Sequence, residues 1–88
     1  MPPVTIMIVF CLKRMMNSVL DEYADWREDG LKIQRYGQTH KASDGYIILE
    51  WHKKIPEPFM QKLYEDQDVI DFLFYDPNLQ AVEVTQAE

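Results

Sequence analysis

Cysteine is almost absent from this chain of 88 residues. The single Cys11 excludes an intramolecular disulfide and the paired-cysteine spacings of redox and zinc motifs. Glycine is also scarce, with three in all, and no Gly-rich loop accompanies the basic pair Lys13 and Arg14. The longest apolar run, Val4 to Leu12, falls far short of the roughly 20 residues that a membrane span needs. Lys13 and Arg14 follow that run, whereas a signal peptide places its basic residues first. Positive charge is in deficit as well: Lys and Arg number 9 against 15 acidic residues, for a net charge of −6. A nucleic-acid partner needs the opposite balance, because binding a polyanion means displacing its counterions with a basic surface. These absences lead us to expect a cytoplasmic protein with neither a membrane nor a nucleic acid as partner.

What remains is the material of one small domain. Apolar residues make up 47% of the chain, enough to bury a core. No repeat or linker divides it, so residues 1–88 read as a single α+β domain. Thr5 to Leu12 reads as a strand with two apolar faces: Ile6, Ile8 and Phe10 on one, Met7, Val9 and Cys11 on the other. Such a strand belongs at the centre of a sheet, where both faces are covered. Met15/Met16, Val19/Leu20 and Tyr23/Ala24 then recur as one helical face, ended by Gly30. The start of this helix is open between the Lys13–Arg14 region and a cap at Asn17 or Ser18, which puts Asp21 and Glu22 in the first turn.

Leu31 to Lys41 and Tyr46 to Lys53 read as two strands joined by the turn residues Ala42, Ser43, Asp44 and Gly45. Ile55-Pro56-Glu57-Pro58 opens a second helix carrying Phe59, Met60, Leu63 and Tyr64. For the final sheet strand we prefer Val69 to Tyr75, with Asp76-Pro77-Asn78 turning into a short extra strand at Ala81 to Thr85. The alternative extends the helix through Ile70 and Phe74 and makes Ala81 to Thr85 the last sheet strand. Either way the order is βαββαβ. That order resembles the ferredoxin-like plait: a four-stranded antiparallel sheet with both helices on one face.

The hairpin register follows from parity. If Leu31 and Ile33 share the core face with Ile47, Leu49 and Trp51, the loop has an odd number of residues. Ser43-Asp44-Gly45 meets that condition, with Gly45 left-handed. The other face then carries Tyr36, Gln38 and His40 beside Tyr46, Ile48, Glu50 and His52. In a plait that face is bare, and its apolar row is rarely left in water. The expected partner is therefore a second copy, sheet against sheet, in a symmetric homodimer, with another protein as a further candidate.

Candidate chemistry is sparse. His40, Glu50 and His52 are two imidazoles and a carboxylate on one expected face, able in principle to bind a ligand or move protons. The plainer account is strand side chains hydrogen-bonded at a dimer seam. Tyr36 joins them as a possible stacking residue. Lys13 and Arg14, between the first strand and a helix start, form a corner where an anion fits. We expect no metal centre and no cofactor. Gly45 to Trp51 distantly resembles the RNA-recognition octapeptide, but Ile48 replaces the central aromatic and Asp44 the leading basic residue. The acidic run Glu65-Asp66-Gln67-Asp68 lacks the glycine and closing glutamate of a calcium loop.

The first strand–helix corner, Leu12-Lys13-Arg14-Met15, lacks the glycine of an ACT-type sensor, the anion loop of an acylphosphatase and the cysteines of a metallochaperone. With its His-bearing hairpin and expected face-to-face pairing, the chain is similar in outline to the dimeric α+β barrels. That family includes small monooxygenases and isomerases, so the resemblance implies a dimer and permits an enzyme. The leading expectation is a non-catalytic regulatory or protein-interaction module. The alternative is a small enzyme or ligand-binding protein using His40, Glu50 and His52.

Overall fold

Thr5–Leu12 forms strand β1 in a computed structural model that describes residues 4–75. Its alternation is one of burial: Met7, Val9 and Cys11 are wholly buried, while Ile6, Ile8 and Phe10 are half-buried on the other face. The remaining elements are helix α1 (Met16–Ala24), strands β2 (Leu31–Gln38) and β3 (Asp44–Trp51), helix α2 (Glu57–Glu65) and strand β4 (Val69–Tyr75). The sheet order is β2-β3-β1-β4 and all three pairings are antiparallel. This is the ferredoxin-like plait, with the two-faced strand at its centre. Val69–Tyr75 is a sheet strand, as preferred above; the expected strand at Ala81 to Thr85 lies outside the described residues.

Both helices cover the same side of the sheet. Val19 and Tyr23 of α1, and Phe59 and Leu63 of α2, join Met7, Val9, Cys11, Ile47, Leu49 and Trp51 in one buried cluster. Phe59 is its hub. Its ring lies 5.3 Å from Tyr23, 5.3 Å from Trp26 and 4.7 Å from Trp51, all edge-on or tilted. Those geometries suit the ring quadrupoles and tie both helices to β3 through one side chain.

Four details differ from the sequence reading, each for a local reason. First, α1 begins at Met16, after a 3₁₀ turn over Lys13–Met15, and has no side-chain cap. The Lys13 N–H donates to the Ser43 carbonyl at 2.9 Å, fastening the chain to the hairpin loop directly after β1. Asn17 and Ser18 therefore fall inside the helix, and no acidic residue occupies its first turn. Second, α1 stops at Ala24, and a further 3₁₀ turn, Arg27–Asp29, leads to Gly30. Gly30 has φ 98°, and a Cβ there would sit 2.9 Å from the Lys53 side chain, so glycine both permits the reversal and leaves room for it.

Third, the hairpin is not a three-residue loop over Ser43–Gly45. β2 ends at Gln38, β3 begins at Asp44, and Gly45 has no positive φ. Fourth, a bulge interrupts the ladder between Ile33 and Arg35. Leu31 and Ile33 pair with Trp51 and Leu49, on the shared face that parity required, but beyond Gln34 the pairs become Arg35 with Ile48 and Tyr36 with Ile47. The extra residue flips the second half of β2 by one face. Tyr36 and Gln38 consequently lie on the helix-side face, not the open one.

Two predictions concern the core. Phe59→Ala should cost about 3–5 kcal/mol in urea unfolding, because it empties the centre of the aromatic cluster. Tyr23 is buried, and its hydroxyl has no hydrogen-bond partner among the described residues. Burial, then Asp66, Cys11 and Glu22, push its phenol well above the ordinary tyrosine range. The folded state thus holds the neutral form, so its contribution is full below the unfolded pKa of about 10 and declines above it. Tyr23→Phe should be near-neutral or stabilising at pH 7 and should lessen the fall in stability above pH ~10, by urea titration at each pH.

Candidate functional site

Where both helices cover one face of the sheet, the other carries, among the described residues, only its own side chains. Three cross-sheet rows compose it. Glu50, Ile6 and Tyr75 form one, Ile48, Ile8 and Leu73 the next, and Tyr46, Phe10 and Asp71 the third. Leu73 is 58% and Tyr75 49% exposed. A shallow recess of about 240 Å³ runs among Ile6, Ile8, Leu73 and Tyr75. The β2 edge completes the face. There Gly37 lies opposite Tyr46, and a Cβ at Gly37 would come within 2.8 Å of the Tyr46 hydroxyl oxygen. Glycine therefore lets the Tyr46 ring lie over β2.

Glu50 and His52 come together at one end of β3. Glu50 Oε1 lies 3.2 Å from His52 Nε2, and Gln34 Nε2 donates to Glu50 Oε2 at 2.7 Å. The carboxylate is thus held from both sides. His40 does not join them. It is exposed in the hairpin loop, where it lines a recess of about 310 Å³ with Phe10, Thr39, Lys41, Asp44, Ile70 and Asp71. Asp44 and Glu50 are six positions apart on β3, which at the usual strand rise is about 20 Å. The two histidines therefore serve separate ends of the hairpin. Among the described residues no group of three or more His, Cys, Asp or Glu side chains could hold a metal ion.

Lys13 and Arg14 are exposed beside a recess of about 550 Å³ lined also by Leu12, Ala42 and Ser43. Asp44 lies opposite Leu12 across the ladder and the Asp68 carbonyl accepts from the Leu12 N–H at 3.0 Å, so two acidic residues border this corner and oppose an anion there. Tyr36 is exposed on the helix-side face, apart from Glu50 and His52. Sequence reasoning missed Leu73, Tyr75 and Gln34 as members of the site. The period-two pattern Asp71-Leu73-Tyr75 carries the signal for the first two once β4 is placed beside β1. Gln34 sits at the bulge between Ile33 and Arg35, and its amide reaches Glu50 from there.

The sequence matches no protein-family model and no curated protein. Among solved structures, the chain is similar to the C-terminal domain of the MgtC protein from Mycobacterium tuberculosis. The TM-score is 0.61 at 10% identity, over 84% of this chain and 86% of that one. The likeness is one of fold. No helix among the described residues is long and apolar enough to cross a membrane.

The thiol of Cys11 is fully buried, and burial, followed by Asp66, Asp68 and Asp44, pushes its pKa up. A protonated, enclosed thiol is a poor nucleophile. The native protein should react with a thiol reagent such as DTNB far more slowly than the same protein in urea. Equal rates would mean that the β1 core opens readily.

Proposed function

We propose that this chain is a small, non-catalytic homodimeric module, regulatory or protein-binding in role, that closes the open face of its sheet on a second copy. The observation that carries this reading is the apolar row of β1, Ile6, Ile8 and Phe10, flanked by Ile48 and by Leu73 and Tyr75. Four strands spaced about 4.8 Å apart, seven residues long at about 3.3 Å each, present a face roughly 19 Å by 23 Å. That is about 440 Å² in plan, roughly half the ~800 Å² per partner buried in ordinary stable interfaces, to which the relief of the side chains adds. Two such faces can pack about 10 Å apart with their strands nearly aligned. A second copy is the favoured occupant because an isologous contact needs one patch only, and this patch mixes Lys32 and Arg35 at one edge with Asp71 at the other. A two-fold axis along the strands lays each basic edge over the partner's β4. On this reading the protein works in the cytoplasm, in keeping with its lone cysteine and acidic balance.

The alternative, an enzyme or ligand-binding protein built on His40, Glu50 and His52, finds less support because the histidines stand at opposite ends of β3.

Native mass spectrometry of the whole chain tests the proposal. The wild type should have at least twice the monomer mass with no added ligand, and Ile8→Lys should lower it at least twofold. His40→Ala and His52→Ala should leave the mass unchanged and alter stability by no more than about 1 kcal/mol. A mass unaffected by Ile8→Lys counts against face pairing. A bound increment lost in either histidine variant favours the alternative.

A further inference from the structure

The two edges of the sheet are built differently. β2 carries exposed Lys32 and Arg35, a bulge at Gln34 and a glycine at position 37. Charges and bulges of this kind keep an edge strand from adding another chain. β4, the opposite edge among the described residues, reads Val-Ile-Asp-Phe-Leu-Phe-Tyr. Its one charge is Asp71. It too has an irregularity, at Ile70, but from Asp71 to Tyr75 its ladder to β1 is regular. Within that stretch Leu73, Phe74 and Tyr75 are 58%, 47% and 49% exposed. Tyr64 of α2, 73% exposed, stands beside it with its ring 5.3 Å from Phe72.

We propose that this edge is a second self-association surface, on which β4 pairs antiparallel with β4 of another copy to make one continuous eight-stranded sheet. The regular stretch is self-complementary about its middle residue. Centred on Leu73, the register sets Leu73 against Leu73, Phe72 against Phe74, and Asp71 against Tyr75. No carboxylate then faces a carboxylate, the repulsion that disfavours like charges directly across a ladder. The two Phe72–Phe74 pairs fall on the helix side, where each meets Tyr64, so the exposed aromatic rings become cross-strand partners. The Phe72 N–H, which donates to Asp71 Oδ1 at 2.8 Å, exchanges that bond for one across the ladder, and the other outward backbone groups, without a strand partner among the described residues, gain theirs. A second copy suits this edge because the matching strand must have its charge two places from an apolar centre, and β4 itself does.

The edge contact stands on β4 alone. The expected assembly, an open chain of copies alternately face-paired and edge-paired, rests also on the face pairing proposed above, whose axis along the strands does not meet the edge axis normal to the sheet. Native mass spectrometry of the wild type, Phe74→Lys, Ile8→Lys and the double variant separates them, with circular dichroism confirming the fold. The wild type should form species larger than a dimer that grow with concentration, each single variant a dimer and the double variant a monomer. If Phe74→Lys halves the mass and Ile8→Lys does not, the edge stands and face pairing fails. If Ile8→Lys halves it and Phe74→Lys has no effect, the edge proposal is overturned; a monomeric wild type overturns both. A disulfide test fixes the register even if Phe74→Lys fails to fold. In an Ile8→Lys, Cys11→Ala background, Leu73→Cys should cross-link to a covalent dimer on mild oxidation and Asp71→Cys should not. The reverse pattern overturns the register. So does β4 amide-exchange protection that persists at every protein concentration in a monomeric sample, the sign of an edge occupied by the chain itself.

Discussion

A strand with no polar face can be hidden only in the middle of a sheet and only if something covers each side. β1 imposes that condition on everything around it. Met7, Val9 and Cys11 fix which face receives the helices, and pairing with β3 and β4 consumes both of its edges. The second face, with Ile6, Ile8 and Phe10, is left half-buried by its neighbours. The plait satisfies the demand on one side, and the proposed partnership satisfies it on the other. Architecture and proposed role thus follow from one stretch of eight residues.

Coverage on the helix side is concentrated in few contacts. Phe59 touches α1 through Tyr23, the following turn through Trp26 and the sheet through Trp51. Such an arrangement suits a domain of this size, in which aromatic area supplies much of the burial that a longer chain spreads over more residues. Two polar atoms, Tyr23 Oη and Trp51 Nε1, are buried beside that hub without partners among the described residues. Rings have been favoured here for their area, even at the expense of their hydrogen bonds.

How much of this was legible in the sequence depended on whether the signal was periodic or local. The two-faced β1 announced itself by alternation, and the element order and the β4 strand followed from spacing and turn residues. Parity correctly placed Leu31 and Ile33 on one face with Leu49 and Trp51. It then failed beyond Gln34, because a bulge leaves no compositional trace in a stretch as polar as Lys-Ile-Gln-Arg. That one inserted residue accounts for the misplacement of Tyr36. His40 was misplaced because β2 stops at Gln38, so that His40 lies in the loop. Its apparent kinship with Glu50 and His52 was a product of projecting a straight strand through both. The open face was foreseen in its β1 and β3 rows, whereas its β4 row required knowing which strand lay next to β1.

The bulge has a consequence for how this chain could vary in length. Gln34 is supernumerary: Ile33 and Arg35 face the adjacent residues Leu49 and Ile48, so removing Gln34 alone would close the ladder while keeping every other pair. Its cost would be the hydrogen bond to Glu50. A deletion elsewhere within β2 or β3 would instead exchange inside for outside along the strand beyond it. Among related chains, a one-residue gap in this sheet should therefore recur at position 34, and the hairpin loop should keep its length when it does.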